Sequence, residues 1–169
     1  MTVKTIHAAI AVVVLAASFG RALGAEPEAA EHRDVVLEVA PAGEWELGGD
    51  GKTSFGPSFA LAVTPIEHQL EVEFGLTPMI DHGSADWEGE IVFKKPFELT
   101  KNWELLVGAG PQWAMPSNSF GAIAKLDLVY WKTSQVGLFV EPSYSYAFTP
   151  GHEQNFTLKA GFLFALSSR

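Results

Sequence analysis

From Val35 onward, apolar and polar residues alternate with period two, and clusters of Gly, Pro, Asn, Asp and Ser break the pattern into segments. This is the signature of strands, not of helices. Eight segments follow, centred on 35–47, 55–63, 70–76, 87–93, 103–113, 120–130, 136–148 and 156–166. In the first, Val35, Leu37, Val39, Gly43, Trp45 and Leu47 share one face, against Glu38, Ala40, Ala42, Glu44 and Glu46 on the other. The third is the most regular: Leu70, Val72, Phe74 and Leu76 alternate with Gln69, Glu71, Glu73 and Gly75. At the strand rise and a barrel tilt, an 11-residue strand stands roughly 28 Å tall, the thickness of a bilayer's hydrocarbon core. The pattern predicts an all-β fold: an eight-stranded antiparallel up-and-down transmembrane β-barrel over 34–166, with 167–169 as a C-terminal tail. The connections are expected to run about 5 to 9 residues, including one from Pro78 to Ala85.

The first 33 residues follow other rules. Lys4, the apolar run from Ala8 to Phe19 and the small residues Ala22-Leu23-Gly24-Ala25 read as a cleavable signal peptide over 1–25, too short in its apolar part to span a bilayer. Residues 26–33 read as a flexible lead-in. Composition sharpens once the leader is set aside. The whole chain of 169 residues carries a formal charge of −9, and without Lys4 and Arg21 it holds 9 basic against 20 acidic side chains, a charge of −11. With no basic run, nucleic acid is excluded as a partner. With no cysteine, disulfide scaffolds and thiolate metal sites are excluded.

Period two alone does not say which face is outside. A soluble lipocalin-like barrel turns its apolar face inward around a ligand, whereas a membrane barrel turns it outward to lipid. The five tryptophans, Trp45, Trp87, Trp103, Trp113 and Trp131, all fall at strand ends, as an interfacial aromatic girdle requires. The opposite face interleaves Gly, Ala and Ser with charged residues, which suits a narrow filled lumen. In the last segment, Lys159, Gly161, Phe164 and Leu166 match the offsets of the C-terminal insertion signal of outer-membrane barrels, which the segment resembles, and Ser167, Ser168 and Arg169 follow where that family usually stops on an aromatic. With these features the chain resembles the small eight-stranded outer-membrane barrels of OmpA/OmpX type. Gly108-Ala-Gly-Pro-Gln-Trp113 and Glu141-Pro-Ser-Tyr-Ser-Tyr146 resemble segments of uncharacterised secreted barrel proteins. The resemblance implies insertion into the cell outer membrane of a Gram-negative envelope by the barrel-insertion machinery, with outer-membrane lipid as the surrounding partner. The chain is read as a monomer.

On the inward phase lie eleven acids (Glu38, Glu44, Glu46, Glu71, Glu73, Asp86, Glu88, Glu90, Glu104, Asp127 and Glu141) and three lysines (Lys94, Lys125 and Lys159). In so narrow a space the carboxylates must reach lysines, water or cations, or hold protons. Hairpin spacing predicts a lumen cluster in which Lys125 lies beside Glu141 with Lys159 diagonal to it, and Glu73 and Glu90 close together elsewhere on the wall. Pro41, Pro57, Pro111 and Pro142 lie mid-strand, where each removes a donor, and predict bulges or locally broken pairing.

No catalytic constellation emerges. A His-x-Ser-Asn motif, a phosphate loop, HExxH and Gly-x-Ser-x-Gly are all absent from the sequence, so the chain is read as no enzyme, with no cofactor. Asp81-His82 and His152-Glu153 fall in loops at one end, but polar loop residues need no metal to explain them, and no metal site is assigned. The expected role is that of a membrane barrel with an acidic, side-chain-filled lumen, structural, adhesive or weakly cation-conducting in a porin-like way. The alternative is a soluble periplasmic lipocalin-like barrel binding an apolar ligand.

Overall fold

A computed structural model of the protein describes residues 33–47, 51–81, 84–115, 117–148 and 152–168. The signal peptide expected over 1–25, most of the lead-in and His82 lie outside them. Eight strands run β1 (Arg33–Glu46), β2 (Thr53–Ile66), β3 (Leu70–Asp81), β4 (Ser84–Glu98), β5 (Trp103–Met115), β6 (Ser119–Trp131), β7 (Val136–Ala147) and β8 (Gln154–Ser168). Each pairs antiparallel with its neighbours in sequence, and β1 pairs with β8 to close the barrel. Both termini of the barrel lie at one end, the termini end, with the 67–69, 99–102 and 132–135 connections. The strand ends at Glu46, Thr53, Asp81, Ser84, Met115, Ser119, Ala147 and Gln154 lie at the opposite, open end.

The connections at the termini end, 67–69, 99–102 and 132–135, are shorter than the 5 to 9 residues expected. The segment expected to link the third and fourth strands is mostly strand: β3 continues through Pro78 to Asp81, and only 82–83 separate it from β4. Residues 167 and 168 of the expected tail are also strand, since Ser168 pairs with Arg33 and Ser167 with Val35.

The alternation resolves into an inside and an outside. Glu38, Glu73, Glu90, Lys94, Lys125, Asp127, Glu141 and Lys159 are buried, while Phe59, Phe74, Leu76, Phe93, Leu128, Val140 and Phe162 are exposed on the outer wall. Along the strands between Val35 and Leu166, Lys95 is the one Lys, Arg, Asp or Glu of the described residues on the outward phase. It lies near the termini end, its ammonium 5.5 Å from the Phe97 ring centroid. The lipocalin-like alternative is therefore corrected: the apolar face is the outside, and the lumen is lined by charge.

Mid-strand prolines interrupt pairing without shifting register. Pro41 and Pro57 are cross-strand partners between β1 and β2, Pro111 faces Ala122, and Pro142 faces Leu158. On its other side each has a gap: the ladder skips from Val39 to Ala42 against β8, from Phe55 to Phe59 against β3, from Glu90 to Phe93 against β5 and from Lys125 to Leu128 against β7. Antiparallel residues alternate between hydrogen-bonded and non-hydrogen-bonded pairs, so each proline sits in a non-bonded pair on one side and turns its missing donor to the gap on the other. Across the β2–β3 gap, Pro57 meets Pro78, and neither supplies a donor. Beside them the hydroxyls of Ser58 and Thr77 hydrogen-bond at 2.8 Å, closing the gap with side chains. The bulges that do occur lie near the termini end, at Arg33–Val36 and between Val63 and Ile66.

Candidate functional site

The lumen divides into three tiers, two filled by side chains and one open. Nearest the termini end is an apolar plug of Val36, Ala62, Leu106, Val129, Trp131, Phe139 and Leu163. Trp131 belongs to this plug, not to the outer girdle where the sequence reading placed it: it is 6% exposed, and its Nε1 donates to Glu104 Oε2 at 3.3 Å. Its inward pose is fixed from three sides. Its main-chain N–H donates to Asn102 O at 2.8 Å, the Asn102 side-chain amide donates back to Trp131 O at 2.7 Å, and the Arg33 guanidinium lies 3.8 Å from its ring centroid. The other four tryptophans face outward. Trp45 and Trp87 are exposed near the open end and Trp103 at the termini end, while Trp113 is half-buried across Gly89.

The middle tier is a charge network. Among the described residues, Lys94, Lys125 and Lys159 are surrounded by Glu38, Glu71, Glu73, Glu90, Asp127 and Glu141. Lys125 Nζ reaches Glu73 and Glu90 at 2.6 Å each and Glu141 at 3.0 Å. Lys159 Nζ reaches Glu90 at 3.0 Å and Glu141 at 3.1 Å. Lys94 Nζ contacts Glu73, lies 2.5 Å from Asp127, and stands 3.6 Å from Glu38 and 3.8 Å from Glu141.

The five residues assigned from sequence thus converge, with two differences of detail. Glu73 and Glu90 are not elsewhere on the wall: Lys125 joins both to Glu141. The hairpin neighbours are also exchanged, because Glu141 pairs with Lys159 while Lys125 pairs with Ser143. Sequence spacing missed Lys94, Glu38, Glu71 and Asp127 as members. The signal was present in their inward phase, but their meeting depends on closure of β1 against β8, which no hairpin spacing encodes.

Small residues make the network possible. Gly75 pairs with Glu90 and Gly108 with Lys94, and a Cβ at either glycine would lie 2.4 Å from the Glu90 carboxylate or 2.7 Å from Lys94 Cγ. Long charged side chains therefore lie flat over bare backbone. Glu38, Glu73 and Glu141 offer oxygens within 4.8 Å of one another, an arrangement that could hold a cation. Lys94 Nζ stands among those three carboxylates, so the positive charge there is the protein's own.

Above the network, a vestibule of ≈ 310 Å³ opens at the open end. Glu44, Glu46, Asp86, Glu88 and Glu153 line it with the single ammonium of Lys52. Ser54 and Thr157 each donate to Glu44 at 3.3 Å, and Gln112 Nε2 donates to Glu88 at 3.3 Å. Of the loop histidines, His152 stacks on Tyr146 with centroids 5.9 Å apart and its Nδ1 is 3.1 Å from the Tyr146 hydroxyl.

On β8, Lys159 enters the network, Phe164 and Leu166 face outward, and Gly161 sits against the main chain of β1, where a Cβ would lie 2.2 Å from Val39 O. The barrel as a whole is similar to two solved eight-stranded outer-membrane barrels. Neisserial surface protein A superposes with a TM-score of 0.66 at 16% identity, over 79% of this chain and 97% of that one. The N-terminal β-barrel domain of Pseudomonas aeruginosa OprF gives 0.55 at 16% identity, over 79% and 99%. No family model matches the chain, and neither does any curated protein.

Proposed function

We propose that the chain is an integral outer-membrane β-barrel, exported through residues 1–25 and inserted as a monomer with its termini end toward the periplasm. The observation that carries this reading is the outer wall: from Val35 to Leu166 its described outward strand positions hold Lys95 as their one charged residue. A contiguous apolar surface of that extent is unfavourable in water and favourable in lipid. Lys95, three residues from the end of β4, reaches the headgroup level by extending its ammonium along Phe97. Outward aromatics gather near both ends, with Trp45 against Phe156 at one and Trp103 against Tyr130 at the other.

The role we assign is structural. The apolar plug and the charge network fill the lumen, so the barrel is a rigid anchor that presents short connections at the outer surface. It is not a pore or an enzyme on this reading. The insertion machinery would engage β8 through Gly161, Phe164 and Leu166. Cell fractionation tests the proposal. The protein is expected in the outer-membrane fraction, released only by detergent, and to migrate faster on a denaturing gel unheated than boiled. Release by osmotic shock without detergent would overturn it.

A further inference from the structure

We propose that the outer face of β4 to β6 at the termini end, where Lys95 and Lys132 flank the Trp103–Tyr130 pair, is a docking surface for the headgroups of anionic phospholipids. This rests on the membrane reading above and adds which lipid the wall selects, and where.

Lys95 is a cation without a counter-ion in the protein. Its side chain is exposed, and among the described residues its ammonium pairs with no carboxylate. Glu98, the next acid along β4, lies on the opposite phase and holds His68 Nδ1 at 2.7 Å. The ammonium lies instead 5.5 Å from the ring centroid of Phe97, which is two residues nearer the termini end, so the side chain extends toward that end. On a wall that faces hydrocarbon, a lysine reaches an anion by stretching in this way to the headgroup level, where lipid phosphates stand.

The neighbouring strands complete the surface. Phe97 pairs with Leu105 on β5, and two residues nearer the rim Trp103 packs against Tyr130 of β6 with ring centroids 5.0 Å apart. Trp103 is 41% exposed, and amphipathic rings of this kind settle at the membrane–water interface. Two residues after Tyr130, Lys132 is exposed in the 132–135 connection. That connection is held beside the 99–102 turn, because the main-chain N–H of Trp131 donates to Asn102 O at 2.8 Å. Toward the middle of the barrel the same wall is aliphatic, with Leu105 opposite Leu128 and Val107 opposite Leu126. Cations bounding an interfacial aromatic pair, above an aliphatic strip, match a phosphate whose acyl chains run down the wall.

Charge also tells the two ends apart. Glu67 and Glu98 at the termini end gather around His68, and Glu104 accepts from Trp131 Nε1 inside the barrel, so these acids are engaged away from Lys95 and Lys132. At the open end Glu46, Asp86 and Glu153 stand about the ammonium of Lys52, a balance that disfavours a phosphate there. Anionic headgroups are therefore assigned to the termini end, the side turned to the periplasm on the membrane reading.

The test is electron spin resonance of the full barrel in phosphatidylcholine vesicles doped with spin-labelled phosphatidylglycerol or spin-labelled phosphatidylcholine, which reads how much of each lipid the protein immobilises. At low salt the parent is expected to favour phosphatidylglycerol by about two- to threefold, and high salt to remove the preference. Lys95→Gln and Lys132→Gln are each expected to lower the ratio, and the two together to bring it close to one, while Lys52→Gln at the open end leaves it unchanged. Gel migration of unheated samples verifies that each variant is folded. Equal immobilisation of the two lipids by the folded parent, or a ratio unaltered by the double variant, would overturn the headgroup surface and leave the membrane reading intact. Absence of any immobilised lipid would overturn the membrane reading, and the headgroup surface with it.

Discussion

Lys94 is placed so that its removal cannot be neutral. Its ammonium lies among Asp127, Glu73, Glu38 and Glu141, all buried; Glu73 and Glu141 would keep Lys125, but Lys94→Met would take from Asp127 and Glu38 the ammonium that faces them. Uncompensated buried charge costs about 3–5 kcal/mol, so the urea midpoint of Lys94→Met is expected to fall well below that of the parent barrel. Exchanging Asp127 for Asn in the same chain should recover part of the loss. The glycines separate two kinds of obstacle. At Gly75 a new Cβ meets the Glu90 side chain, which can move, whereas at Gly110 it would lie 1.8 Å from Ile91 O, which is main chain. Gly75→Ala is expected to cost about 1–3 kcal/mol and Gly110→Ala more, read from the same unfolding curves. The charged members were legible as residues of one face because parity decides that, and the strand-end tryptophans and interleaved small residues assigned that face to the lumen. Trp131 was misplaced although its parity matches Asp127 and Val129, because its position at a strand end suggested a girdle. Its anchoring by Asn102, Glu104 and Arg33 belongs to tertiary structure.

At the scale of the strands, the prolines show how a closed barrel accommodates missing donors. Pro41, Pro57 and Pro78 fall in a row across β1, β2 and β3, so the lost hydrogen bonds are concentrated in gaps instead of scattered. The Ser58–Thr77 hydroxyl pair beside Pro57 and Pro78 makes a specific prediction. Ser58→Ala leaves the buried Thr77 hydroxyl without its partner and should cost about 1–3 kcal/mol, whereas Ser58→Ala with Thr77→Val should lie close to the parent, as denaturant midpoints would reveal. Local sequence placed every strand because alternation survives a proline. It ended the third strand too early, since Pro78 reads as a breaker unless its missing donor is known to lie opposite another proline. Deleting 164–168 should abolish folded-barrel migration on gels, because it strips Arg33, Val35, Val36 and Leu37 of their partners at the closing seam.

At the scale of the molecule, polarity is turned inward: charge fills the lumen and apolar side chains make the wall. The number of strands was legible because eight alternating segments are separated by turn residues, and the facing of the wall because the tryptophans fall at strand ends. Convergence of the network on Lys94 was not, because it depends on the diameter and closure of the whole barrel. With the lumen filled by side chains, purified protein in a planar bilayer is expected to show no steady conductance. The claim on which the account depends is that the outer wall meets lipid, and the cysteine-free sequence allows a direct measurement. Nitroxides attached singly at positions 59, 74, 128 and 140, on four strands, can be compared in lipid vesicles with labels at 117 and 134 in the connections. The account predicts high accessibility to oxygen and low accessibility to a water-soluble nickel complex at the four wall positions, with the reverse at the two connections. Equal access of the nickel complex to wall and connections would contradict it.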